Sequence, residues 1–156
     1  INNDTLNDSK ILDANKAACV YKVIALFKQK DINKIANIIN YPFDRQYPIP
    51  SIKDKKEFIK RFSEVFDSNL VETIANSKIG QWSEMGWRGI MLNDGVLWME
   101  NSDGIITAVN HQTDIEKKLR IELIAKDKIF LHAALKNFET PTYKIKTKTI
   151  KIKKDE

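Results

Sequence analysis

Gln81-Trp82-Ser83-Glu84-Met85-Gly86-Trp87-Arg88-Gly89-Ile90-Met91-Leu92 runs into Asn93-Asp94-Gly95, then Val96-Leu97-Trp98-Met99-Glu100, then Asn101-Ser102-Asp103-Gly104, then Ile105-Ile106-Thr107-Ala108-Val109-Asn110. Asp-Gly supplies the positive φ angles that tight hairpin turns demand, and the flanking β-branched and aromatic residues suit a pleated, half-buried surface. Two Asp-Gly turns between three apolar runs predict a three-stranded antiparallel meander over Met85 to Asn110. Side chains alternate along a strand, so Trp87, Gly89 and Met91 share one face while Arg88, Ile90 and Leu92 share the other. In the second run Val96, Trp98 and Glu100 oppose Leu97 and Met99. Both faces are largely apolar, which predicts helices on one side and a hollow or docking surface on the other.

A chain of 156 residues suits one domain with a proper core, with room for a short appendage. Hydrophobic residues at 42% and charged residues at 30% are ordinary for a globular protein. The net charge of +5 comes mostly from the lysine-rich end of the chain. A single cysteine, Cys19, rules out an internal disulfide and a cysteine metal cluster, and its alanine-flanked helical setting reads as a small buried thiol. No apolar run reaches the length of a membrane span. The chain begins Ile1-Asn2-Asn3-Asp4 without Met, which fits a removed leader or a trimmed chain.

Before the meander the sequence is helical. Residues 1–12 are expected to form a flexible segment, polar and frayed over Ile1 to Lys10. A first helix is predicted from Asp13 to Gln29, with Ala17, Val20, Tyr21, Ile24 and Phe27 recurring every three or four residues. Asp31 caps a second, short helix reaching Ile39, closed by Tyr41-Pro42. Pro42, Pro48 and Pro50 bracket a short strand or ordered loop at Phe43–Tyr47. Asp54 and Glu57 form a capping box for a third helix with apolar face Phe58, Ile59, Phe62, Val65 and Phe66. Asp67-Ser68 opens a fourth helix carrying Leu70, Val71 and Ile74. Phe58, Phe62 and Phe66, together with Ile24 and Phe27, are expected to pack on the inner face of the meander.

After it, Thr113 or Asp114 caps a helix with Ile115, Leu119, Leu123 and Ile124 in register, ending near Lys126-Asp127. Ile129 to Phe138 reads as an irregular apolar stretch. From Thr142 the alternation of Tyr143, Ile145 and Thr147 with Lys144, Lys146 and Lys148 predicts a basic final strand, with a bulge where Ile150 and Ile152 fall out of phase. The chain thus divides into residues 1–12, a cone-like α+β domain over 13–112, and a C-terminal helix and strand over 113–156.

The order of elements, with Asn40-Tyr41-Pro42-Phe43, Pro50-Ser51-Ile52-Lys53-Asp54 and the hairpin Trp87-Arg88-Gly89-Ile90-Met91-Leu92 to Gly95-Val96-Leu97-Trp98, resembles the nuclear-transport-factor-2-like, cystatin-like cone. More narrowly it is similar to small exported bacterial proteins of that fold, mostly of unassigned activity. The resemblance spans about residues 13–145. It implies a curved antiparallel sheet wrapped around N-terminal helices and a periplasmic or otherwise exported setting. Leu131-His132, Leu135-Lys136-Asn137-Phe138 and Pro141 resemble the lead into a second β-rich portion. The fold hosts isomerases, dehydratases, transport factors and toxin-neutralising immunity proteins, so function has to come from the site.

Three kinds of site suggest themselves. An isomerase or hydrolyase would need a carboxylate base and an oxyanion donor facing the cone, roles that Glu100 and either Tyr21 or Tyr41 could fill; the competing reading is a solvated Glu100 at a strand end and tyrosines packed at the rim. A binding surface would use Trp82, Trp87, Trp98, Arg88 and Met91, because aromatics and Arg dominate interface energetics; the competing reading is that Trp87 and Trp98 close the core. His111 and His132 are too far apart for a local metal motif, and each reads as a polar residue satisfied at the end of an element. No cofactor motif appears. The lysine-rich end lacks arginine and interleaved aromatics, which disfavours nucleic acid and fits an edge strand or an acidic protein partner. The reading reached is a non-enzymatic binding or interaction module, with an immunity protein and a cone-cavity isomerase as alternatives. Trp82, Arg88 and the terminal strand are expected on one partner-facing surface.

Overall fold

The computed structural model describes residues 12–138. Four acidic side chains start four helices, each accepting a hydrogen bond from a first-turn amide left without a helical partner. Asp13 opens α1 (Ala14–Gln29), Asp31 opens α2 (Ile32–Ala36), Asp54 opens α3 (Lys55–Val65) and Asp67 opens α4 (Ser68–Ala75). Glu57 reaches one residue further back than a capping box requires, accepting from the Lys53 amide at 2.8 Å rather than from that of Asp54. Helix α2 stops at Ala36 rather than Ile39. Ile38 and Ile39 are drawn instead into the sheet: Ile106 donates to the Ile38 carbonyl at 2.7 Å and Asn40 donates to that of Ile106 at 2.9 Å. Between α2 and α3 the proline-marked segment is an ordered loop, closed by an antiparallel bridge between Phe43 and Ile52.

The sheet has four antiparallel strands in the order β1 (Trp82–Glu84), β2 (Ile90–Leu92), β3 (Leu97–Met99) and β4 (Ile106–Val109). The loop from Asn93 to Val96 joins β2 to β3, with Asn93 and Gly95 at positive φ, as the Asn-Asp-Gly sequence predicts. The predicted first strand, however, is two strands. Trp82–Glu84 pairs with Ile90–Leu92, and between them Gly86–Arg88 makes a turn of 3₁₀ helix. Trp87 and Arg88 therefore stand on a hairpin tip instead of alternating across a strand. The meander is correct in its turns and wrong in its first run.

Register sorts the faces. Trp82, Leu92, Leu97 and Val109 align across the sheet, as do Ile90, Met99 and Ile106 one step on, and all are buried. They share one apolar cluster with Val20, Val23, Ile24 and Phe27 of α1, Phe58 and Val65 of α3, and Leu70 and Ile74 of α4. Phe58 is its hub, edge-on to Tyr41, Phe43, Phe62 and Phe66 at centroid distances of 5.8–6.4 Å. Phe62 is only partly buried: it stacks on Phe66 at 5.2 Å and lines a cleft of about 300 Å³ between α2, α3 and α4. The opposite line, Ser83, Met91, Trp98 and Ala108, remains half-exposed. The chain is thus α+β, with helices covering one face of an open antiparallel sheet.

The final described helix, α5 (Asp114–Phe138), does not end near Lys126. It continues through the stretch expected to be irregular and exposes Ile121, Ile129, Phe130, Leu131 and Leu135. Its start is the best anchored part. The Thr113 hydroxyl donates to the Glu64 carbonyl at 2.6 Å and accepts from the Glu116 amide at 3.1 Å. Leu12 is buried; the rest of the predicted N-terminal segment, and the basic final strand, lie outside the described residues.

Candidate functional site

Both hairpin turns at one end of the sheet build the site. In the β1–β2 turn Gly86 and Gly89 sit at φ of +61° and +103°, where side chains are rarely tolerated. A Cβ on Gly89 would lie 2.3 Å from the Met99 carbonyl oxygen, so glycine is what lets the turn approach β3. Met85 donates to the Gly89 carbonyl at 2.8 Å, closing the turn with Trp87 at its tip, 92% exposed. The β3–β4 turn reaches across: Asn101 Nδ2 donates to the Gly86 carbonyl at 2.9 Å. Asn101 Oδ1 is shielded from solvent and has no hydrogen-bond partner.

Between the turns and along the outer face runs an open groove of about 760 Å³, with Trp87, Arg88, Trp98, Glu100 and Asn101 among its walls. The Arg88 guanidinium lies 5.9 Å from the ring centroid of Trp98, a cation–π contact that holds both. Trp98 also packs close to Gly95, where a Cβ would come within 3.1 Å of its Nε1. The register slips by one residue between Trp98 and Met99, leaving Thr107 unpaired in β4 as a bulge, and Thr107 lines the groove.

Four of the seven candidates, Trp87, Arg88, Trp98 and Glu100, therefore meet at one place. The other three do not. Trp82 is 1% exposed, on the helix-facing side of β1, with its indole N–H donating to the Ser77 hydroxyl at 3.0 Å. It is a core residue and cannot stand on a partner-facing surface, which corrects that expectation. The reason is the unforeseen strand: pairing with Leu92 turns Trp82 inward. Tyr21 points away from the core at 55% exposure. Tyr41 is half-buried, its hydroxyl donating to the Ala36 carbonyl at 2.7 Å, and burial, with Asp54 adding, pushes its pKa up to about 12. That hydroxyl is committed to the backbone, and neither tyrosine lines the groove.

Beside the groove, sharing Ala108 and Asn110 with it, lies a second depression of about 510 Å³ that spacing arguments missed. Its floor is a buried ion pair, Arg45 with Glu116, whose side chains are 3% and 1% exposed. Arg45 Nε and Nη2 donate to the two Glu116 oxygens at 2.7 and 2.6 Å, while Nη1 and Nη2 donate to the Val109 and His111 carbonyls at 2.7 and 3.1 Å. Four of the five N–H donors of the guanidinium are taken up inside the protein, so the pair is a structural clamp fastening α5 to the proline-marked loop and β4. His111 Nε2 lies 2.8 Å from Asp67 Oδ2. Burial raises the Asp67 pKa, but the His111 contact and the Leu70 amide outweigh it and hold the carboxyl below its ordinary value. Among the described residues there is no cluster of three metal-binding side chains, and no helix is long and apolar enough to cross a membrane. Comparison of the chain with family models, curated proteins and solved structures returns no match.

Proposed function

We propose that this chain is a nuclear-transport-factor-2-like domain acting as a non-enzymatic binding module of an exported bacterial protein, with the outer groove as its binding surface. The observation that carries the reading is Trp87, held 92% exposed on a closed turn beside Trp98 and Arg88. An exposed large aromatic on a fixed backbone contributes contact area to a partner at little ordering cost. The cone assignment draws support from the order α1, α2, bridged loop, α3, α4 and meander, and the exported setting from the resemblance of the same stretches.

The interior speaks for binding rather than chemistry. Phe27, Phe43, Phe58, Leu92 and Leu97 fill the space under the sheet that an isomerase would need for substrate. Glu100 stands exposed on the outer face, and the displaced carboxyl pKa values, those of Asp13, Glu57 and Asp67, all move downward, opposite to what a general acid poised near neutrality requires. An acidic protein partner, a toxin included, would have to be drawn by the lysine-rich end, because Arg88 and Glu100 balance each other in the groove.

The test is retention. Immobilised wild-type protein and Trp87→Ala are incubated with a bacterial cell-envelope extract, and bound protein and glycan are quantified. The variant should retain at least tenfold less of a saturable component while keeping the wild-type circular dichroism. Equal, saturable retention by both overturns the groove as the binding surface.

A further inference from the structure

From the chemistry of its walls, we infer that the outer groove takes a neutral oligosaccharide, a proposal that rests on the binding reading above and narrows it. Three observations point to this ligand class. The first is charge. Arg88 and Glu100 are the charged side chains at the groove, one of each sign, and Arg88 is already engaged with the face of Trp98. An anionic ligand would meet Glu100 without a surplus cation, and a cationic one would meet Arg88.

The second is the pairing of surfaces. Trp87 offers a free indole face, and aromatic faces carry partial negative charge that attracts the weakly positive C–H groups on the flat side of a pyranose ring. Around it stand short polar groups, the hydroxyls of Ser102 and Thr107 and the amides of Asn101 and Asn110. Asn110 has its Nδ2 committed to the Gly95 carbonyl at 2.9 Å, and Asn101 has its Nδ2 committed to Gly86. Each amide keeps a second N–H, and the hydroxyls of Ser102 and Thr107 can both donate and accept, which suits a ligand whose own hydroxyls do both.

The third is preorganisation: the backbone bond from Met85 to Gly89 and the Asn101 link to Gly86 close the turn that carries Trp87, so the platform needs little ordering. At about 760 Å³ the groove lies within the ~300–1,000 Å³ of small-ligand sites, and it is open to solvent, so a chain of sugar rings can pass along it.

The experiment titrates the protein with cellohexaose, N-acetylchitohexaose and maltohexaose, and with polygalacturonate as the anionic control, following indole emission and heat. At least one neutral oligosaccharide should bind saturably with a blue shift of the emission, and polygalacturonate should not compete. Trp87→Ala should weaken that binding at least tenfold, Trp87→Phe less, and Thr107→Val about threefold, with unfolding midpoints for the two Trp87 variants close to wild type. Absence of binding by all three neutral probes, or binding that Trp87→Ala leaves unchanged, overturns the inference. If no oligosaccharide binds yet Trp87→Ala still loses an envelope protein, the glycan falls and the binding reading stands; if Trp87→Ala alters neither, both fall.

Discussion

Replacing Arg45 with Ala should be the most damaging single change in the loop that precedes α3. The guanidinium makes four hydrogen bonds, two to Glu116 and one each to the Val109 and His111 carbonyls. Removing it leaves a carboxylate that is 1% exposed without its counter-charge and two backbone acceptors without donors. Breaking a buried pair from one side costs ~3–5 kcal/mol, about a fifth or more of the ~5–15 kcal/mol that holds a typical domain together. Glu116→Leu should cost a similar amount by stranding the arginine. The double variant Arg45→Met, Glu116→Leu removes both charges and refills the volume, so it should lie well above the sum of the two losses, within ~1–2 kcal/mol of wild type. Urea unfolding followed by tryptophan emission measures all four proteins. A loss below ~1 kcal/mol for Arg45→Ala, or strict additivity in the double variant, would refute the clamp as a desolvated pair.

Gly89→Ala should cost at least ~2 kcal/mol, because φ of +103° and a 2.3 Å approach to the Met99 carbonyl oxygen leave no room for a Cβ; the urea midpoint checks it. Phe58→Ala should cost ~3–5 kcal/mol as a fully buried hub, and Phe62→Ala clearly less, since Phe62 borders the helical cleft; equal losses would contradict that placement. Asp67 has a folded-state pKa below its 3.8 reference, so its contribution is present above pH ~4 and is lost as pH falls through the folded value. Asp67→Asn keeps the helix cap but not the charge, and its stability should therefore fall less steeply than wild type between about pH 5 and 3, read from thermal midpoints across that range.

What could be read from the sequence was local. Each aspartate cap announces itself, because a short acidic side chain ahead of an apolar periodic run has one low-energy use, and Asn93-Asp94-Gly95 likewise needs no tertiary help to turn. The misreadings arose where local signals compete. Met85 to Leu92 looks like one apolar strand, yet Gly86 and Gly89 within it were the mark of a turn; recognising them would have put Trp82 in a strand of its own and turned its ring inward. Ile38 and Ile39 fit a helical period, but two backbone bonds to Ile106 capture them for the sheet. The Arg45–Glu116 clamp joins residues 71 apart, and no spacing rule reaches that far. Ile129 to Phe138 lacks a single apolar stripe, which hid its helix.

Binding at the outer groove can be followed in one spectrum, because the protein has three tryptophans. Labelling with 5-fluorotryptophan gives one fluorine resonance per indole, assigned by single Trp→Phe variants. Trp87, being 92% exposed, should show the largest solvent isotope shift, and Trp82, at 1%, essentially none. On adding a cell-envelope extract, the Trp87 and Trp98 resonances should move or broaden saturably while that of Trp82 stays in place. Movement of Trp82 with Trp87 and Trp98 unchanged would put the binding site in the interior and rule out the groove.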